Sequence, residues 1–194
     1  MIKKKLTVKD LIVAGAFAAL YVVIMLVIVS TASLTPVTWL MAPLLCAVVL
    51  GTVYMLYCMK IPKRGAILIL GVVVSLVLSS TGGWAAPAWG IICALLAELL
   101  AALGRYGSKG WYAASFCVFA CSTAGPFWML VFAKAAVLAT IENTYGAGFA
   151  ARMDALTPPW IVPVVIGSAV LGGFIGGAIG KRLLKKHFEK AGVV

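Results

Sequence analysis

The chain has 194 residues, 64% hydrophobic and 11% charged, with a mean hydropathy of +1.13 and a formal net charge of +11. An ordinary soluble domain carries roughly 45–50% apolar and about 25% charged residues, and a soluble fold this small cannot hide so much apolar surface. These figures exclude a soluble nucleic-acid binder, a secreted disulfide scaffold and a disordered chain, and leave an all-α polytopic membrane protein built as one transmembrane domain over residues 1–194.

Six apolar runs follow one another, each near the ~17–25 residues that a bilayer core requires. The first, Leu11–Ser30, follows the basic stretch Lys3–Lys5. It is too long for the ~7–15-residue core of a cleaved signal, so it reads as a span. Its first half carries two overlapping small-residue patterns, Ala14-xxx-Ala18 and Gly15-xxx-Ala19, of the kind that lets helices approach closely in lipid. They suit packing within the chain or docking to a partner. Val37–Met59 opens near Trp39, and Gly65–Ser80 is slightly short. Trp84–Gly104 begins with Trp84 and Trp89 and carries Glu98, and Trp111–Ala133 contains Trp128. The connection Lys134–Thr157 is the longest and holds Lys134, Glu142, Asn143, Tyr145, Arg152 and Asp154; it reads as a short amphipathic helix or lid. The last run, Pro158–Gly180, repeats glycine as Gly172-xxx-Gly176-xxx-Gly180. The segment ending in Gly180-Lys181 misses the spacing of a nucleotide phosphate loop, with Ile175 where the first glycine belongs and Arg182 in place of Ser or Thr, so its glycines read as helix-packing residues.

Charge supports the same order. Lys3, Lys4, Lys5, Lys9, Lys60, Lys63, Arg64, Arg105, Lys109, Lys181, Arg182, Lys185, Lys186 and Lys190 all fall on one side of a six-span chain, and only Lys134 and Arg152 on the other. The positive-inside rule then places both termini in the cytoplasm of a multi-pass cell-membrane protein. The basic excess is expected to attract anionic lipid heads and needs no nucleic acid.

Catalytic groups are scarce. The lone histidine, His187, lies in the tail, and no metalloprotease motif, paired carboxylates or serine elbow is present, so the chain reads as no enzyme. Cys46, Cys58, Cys93, Cys117 and Cys121 sit in apolar runs without a CxxC pair and read as small packing residues. Glu98 is the only acidic residue inside a span. A carboxylate there is costly, at least ~2.5–3.5 kcal/mol near mid-bilayer, and must find donors or be protonated. It therefore marks either a buried structural contact or a proton-coupling site. Trp39, Trp84, Trp89, Trp128 and Trp160 lie at or near outer span ends, with only Trp111 at the inner end. An interfacial belt should populate both faces, so the asymmetry raises the alternative of an aromatic-lined outward pocket. Trp128 lies roughly one and a half turns below the outer end, too deep for a simple belt. Trp39, Trp84, Trp89 and Trp128 are the expected walls, Asn143 and Tyr145 the closing polar groups, and Lys134 the partner of an acidic ligand or of Glu142.

Lys5–Ile12, Pro62–Gly71, Gly125-Pro126-Phe127-Trp128, Leu156–Trp160 and the tail Gly180–Lys190 resemble the Trep_Strep (MptD-type) group of substrate-binding S components of energy-coupling factor (ECF) transporters, and the likeness spans essentially the whole chain. The resemblance implies a six-helix S component, N-in and C-in. It would capture a vitamin-like micronutrient outside and deliver it inward with a transmembrane T component and two cytoplasmic ATPases. It implies no cofactor in this chain, since the partner ATPases hydrolyse ATP. It assigns the T-component contact to small residues of the first helix, here Ala14 and Ala18 with Gly15 and Ala19. It places substrate in the outer half, under loops Thr31–Pro36, Thr81–Trp84 and Lys134–Thr157. The alternative is a stand-alone proton-coupled secondary transporter that uses Glu98.

Overall fold

The computed structural model describes residues 6–188, with the side chains of residues 81, 82, 187 and 188 outside that description. Lys3, Lys4, Lys5 and Lys190 of the basic count lie outside the described residues, as does the side chain of His187. Among the described residues the fold is wholly helical: α1 Val8–Ala32, α2 Pro36–Lys60, α3 Ala66–Gly82, α4 Ala85–Leu103, α5 Lys109–Ala120, a 3-10 segment Cys121–Trp128, α6 Met129–Phe132, α7 Lys134–Tyr145, α8 Ala147–Leu156 and α9 Ile161–Leu183, followed by a π-helical turn Leu184–Phe188. Among the described residues five helices are long and apolar enough to cross a membrane, α5, the 3-10 segment and α6 forming one of them, and Ala66–Ser80 is a shorter apolar helix. The six apolar runs thus each become helix, within a few residues of their expected ends.

Local chemistry sets the helix starts. Thr7 and Asp10 form a reciprocal capping box, with the Thr7 N–H donating to the Asp10 carboxylate at 2.7 Å and the Asp10 N–H to the Thr7 hydroxyl at 3.4 Å. Thr35 caps α2 by accepting from the Thr38 N–H at 3.2 Å, and Pro36 follows at the first helical position. Pro87 and Pro163 sit in the first turns of α4 and α9, where a backbone N–H has no partner within the helix.

Backbone proximity holds the bundle together. In lipid no hydrophobic force draws helices together, so tight seams depend on small residues. The α2–α9 seam is built from Gly51, Gly172, Gly176 and Gly180. A methyl added at Gly172 would lie 2.6 Å from the Leu44 carbonyl oxygen, and one at Gly180 2.9 Å from that of Gly51. The next positions of α9 face α5: a methyl at Gly173 would lie 2.8 Å from the Cys117 Cα. The glycines of the run from Gly172 to Gly180 are therefore packing residues on two adjoining faces, as expected. Gly71 against Ala94, and Gly90 against Ser75, bring α3 and α4 equally close. Between the seams lies an aromatic core in which Tyr54 packs on Phe116 and Phe119 at ring-centroid distances of 5.0 and 4.9 Å. The Tyr54 and Ser115 hydroxyls are 2.7 Å apart, and Ser115 donates to the Ala97 carbonyl at 2.7 Å. All five cysteines are buried and unpaired.

The end of the bundle that carries the basic connections is clamped. Lys63, between α2 and α3, pairs with Asp10 of α1, and the Tyr57 hydroxyl donates to the Ala66 carbonyl. Glu98 finds its donors here. Gly65, the N-cap of α3, has φ +87 and no side chain to cap the helix. Glu98 of α4 supplies the cap from outside the element, accepting from the Gly65 N–H at 2.7 Å, the Leu68 N–H at 3.2 Å and the Tyr106 hydroxyl at 2.8 Å. Burial and the bond to Glu98 push the Tyr106 phenol up, so it stays a donor across the physiological range.

Candidate functional site

At the far end of the bundle the long connection is not one amphipathic helix but two, α7 and α8, joined at Gly146 (φ +88). Ala133, with φ −148 and ψ 46, breaks the chain direction between α6 and α7. The α7 face Val137, Leu138 and Ile141 turns inward and packs with Trp39, Leu40, Phe149, Ala150 and Met153. Tyr145 stacks on Phe149 at 4.7 Å, and Trp39 bridges Phe149 at 6.4 Å and Phe127 at 6.0 Å. This run of rings ties the hairpin to α2 and to the 3-10 segment.

Beneath the hairpin lies a cavity of about 420 Å³. The lining comes from Trp39 of α2, Ser80 and Gly83 at the end of α3, Pro126, Phe127, Met129 and Leu130 of the fifth span, and Ala136, Val137, Thr140, Ile141, Thr144 and Tyr145 of α7. Its size and mostly apolar walls with a few hydroxyls suit a small organic molecule. Of the three loops expected to cover a substrate, Thr81–Trp84 contributes Gly83 and Lys134–Thr157 contributes α7. Residues of the remaining one, Thr35 and Pro36, instead border a separate shallow groove of about 330 Å³ with Val37, Arg152, Ala155 and Leu156.

The structure divides the expected site residues. Trp39 and Tyr145 line the cavity. Trp84, Trp89 and Trp128 do not. They form a stack on the flank of α4 and the fifth span, in which Trp84 lies 5.6 Å from Phe132, Phe132 5.9 Å from Trp128, and Trp128 5.1 Å from Trp89. Trp84 is 66% exposed, and the Trp89 indole N–H donates to the Cys121 carbonyl at 2.8 Å. Trp128 lies four residues before the end of α6, and its neighbours Phe127 and Leu130 line the cavity instead. Asn143 is exposed, one position off the α7 face that lines the cavity. Lys134 does not pair with Glu142. Its ammonium meets the Asp154 carboxylate at 2.6 Å and the Thr157 and Asp154 carbonyls at 2.8 and 3.2 Å, because the C-terminal end of α8 presents free carbonyls beside it.

Every other lining residue was missed from sequence, among them Ser80, Phe127, Leu130, Thr140, Ile141 and Thr144. The signal for α7 was present as helical spacing, with Val137, Thr140, Ile141 and Thr144 on one face.

On α1, Ala14 and Ala18 are 1% and 3% exposed and belong to the chain's own core, packed with Tyr21 and Met25. They are not free for a partner in this structure. Gly15 and Ala19 lie one position further round and are exposed, and nothing lies within 4 Å of where a Gly15 side chain would begin.

No curated protein and no solved structure matches the chain. A family model described as "Hypothetical bacterial integral membrane protein (Trep_Strep)" matches residues 8–190. That match takes in every helix of the bundle and agrees with the apolar spans, and the chain belongs to the Trep_Strep family of bacterial integral membrane proteins.

Proposed function

We propose that the chain is the substrate-binding S component of an ECF-type importer, with α3 as a sixth crossing and both termini in the cytoplasm. The observation that carries this reading is the cavity under the α7–α8 hairpin, at the end opposite the basic connections. On the positive-inside rule that end faces outward. A micronutrient would be taken there, and the chain would deliver it by working with a T component and two ATPases. Ten basic residues among those described, from Lys9 to Lys186, lie at the clamped end, which suits a cytoplasmic face. The apolar outer faces of α1 and α4, including Leu20, Val23, Leu95 and Leu99, suit contact with lipid or a T component. The partner contact on α1 moves to Gly15 and Ala19, since Ala14 and Ala18 are occupied. Glu98 gives the proton-coupled alternative little support, because its carboxylate is engaged as the cap of α3.

The test is affinity purification from cells that also express the T component and both ATPases. Gly15→Trp and Ala19→Trp are expected to leave the chain folded and to abolish recovery of the partners. Recovery of the full complex from both variants would refute the assigned contact. Failure of the unaltered chain to bring down any T component would refute the S-component reading.

A further inference from the structure

We propose that the far-end cavity takes an uncharged, flat, largely apolar molecule that donates hydrogen bonds. This rests on the reading of that cavity as the substrate site.

The walls are the first argument. Trp39, Phe127, Leu130 and Ile141 offer ring faces and branched aliphatic surface, which suit a flat apolar body. Charge is the second. Among the described residues no charged side chain lines the cavity, and Lys134, at the start of α7, is held by Asp154 and two carbonyls. A charged ligand would enter without a counter-ion and lose its hydration. A cation would also meet a chain of net charge +11, with no carboxylate in the lining among the described residues.

The third argument is the direction of the hydrogen bonds. A hydroxyl has one proton to donate and lone pairs to accept with. Ser80 gives its proton to the Val77 carbonyl at 2.7 Å, Thr140 to Ala136 at 3.0 Å and Thr144 to Thr140 at 2.9 Å. With those protons committed to the helix backbone, the three hydroxyls are left as acceptors. They come from two walls, Ser80 from the end of α3, Thr140 and Thr144 one turn apart on α7. A molecule with N–H or O–H groups at its edges fits these three acceptors, and the Tyr145 phenol, also in the lining, can donate to a single acceptor on the same molecule.

Four probes with one aromatic body separate charge from donor capacity: quinoline-3-carboxamide, its N,N-dimethylamide, quinoline-3-carboxylate and the N-methylquinolinium-3-carboxamide cation. Each is titrated calorimetrically into the full chain in lipid nanodiscs, with empty nanodiscs subtracting partition into lipid. The primary amide is expected to bind about tenfold more tightly than the dimethylamide and the carboxylate. That advantage is expected to disappear in Thr140→Val/Thr144→Val, which keeps side-chain shape and removes two acceptors. Ala136→Trp, which fills the cavity from α7, is expected to abolish binding while the melting temperature holds. Tighter binding of the carboxylate or of the quinolinium, lost in Ala136→Trp, overturns the proposed ligand class and leaves the cavity as the site. Binding that Ala136→Trp does not alter, or no binding by any probe, overturns both.

Discussion

Replacing Glu98 tests the most specific energetic claim in the structure, that a side chain of α4 supplies the missing cap of α3. One carboxylate oxygen accepts from Gly65 N–H and the Tyr106 hydroxyl, and the other from Leu68 N–H. In Glu98→Gln the carbonyl oxygen keeps the first pair, but the amide nitrogen now faces the Leu68 N–H, donor against donor. One orphaned donor costs about 1–3 kcal/mol. Glu98→Ala removes the acceptor these three donors share, and with partial hydration at that end the cost is about 3–5 kcal/mol. Two readouts check this: the unfolding midpoint of the purified protein, and hydrogen exchange of the Gly65–Leu68 amides. Exchange there is expected to rise about 5- to 100-fold in Glu98→Gln and further in Glu98→Ala. If Glu98→Gln unfolds with the unaltered protein and those amides keep their protection, the cap argument is wrong. The carboxylate would then be free for another role, proton coupling included.

Gly176→Ala would drive a methyl into the Ala47 and Val48 carbonyls, and a loss of about 1–3 kcal/mol is expected in the unfolding midpoint; Gly167→Ala, with open space around it, is expected to be neutral or stabilising by up to about 1 kcal/mol. Lys134→Met removes an exposed ion pair and two bonds to carbonyls, so amides of Ala147–Leu156 are expected to exchange faster by about 1–2 kcal/mol of local stability while the bundle midpoint holds. In a cysteine-free background, Gly148→Cys is expected to react with an impermeant thiol reagent on intact cells and Ser108→Cys to stay unlabelled; Gly148 serves better than Gly146, whose positive φ would strain any side chain. The reverse labelling would place the hairpin inside and the basic end outside.

Helix positions were legible because the bilayer imposes one length on every crossing, and capping residues such as Thr7, Thr35 and Pro36 mark the starts locally. Facing was much less legible. A helix in lipid is apolar all round, so the pattern that separates core from surface in water is missing. Ala14 and Gly15 are both small and carry no polar side chain, yet one is buried and the other exposed. The same loss misassigned Trp128, since depth is readable from span length and azimuth is not. Lys134 went to Asp154 rather than Glu142 because Gly146 folds the connection into a hairpin, and that bend brings the end of α8 back beside the start of α7.

The 3-10 segment Cys121–Trp128 has a further consequence for the cavity. A 3-10 turn advances about 120° per residue against about 100° in an α-helix, so eight residues wound this way rotate the upper part of the span by about 160° more. They also lengthen the span by about 4 Å. Pro126 disfavours α winding here, because its ring would clash with the Ser122 carbonyl four residues back. Below the segment Phe116 and Phe119 point into the aromatic core, and at its upper end Phe127 and Leu130 line the cavity while Trp128 and Phe132 stack along the flank. Had the segment been α-helical, that upper turn would be rotated by nearly half a circle, with the tryptophan stack and the cavity wall exchanging places. Which residues of this helix line the cavity is therefore decided by backbone winding that begins about two turns earlier, at residues 121–125, outside the lining.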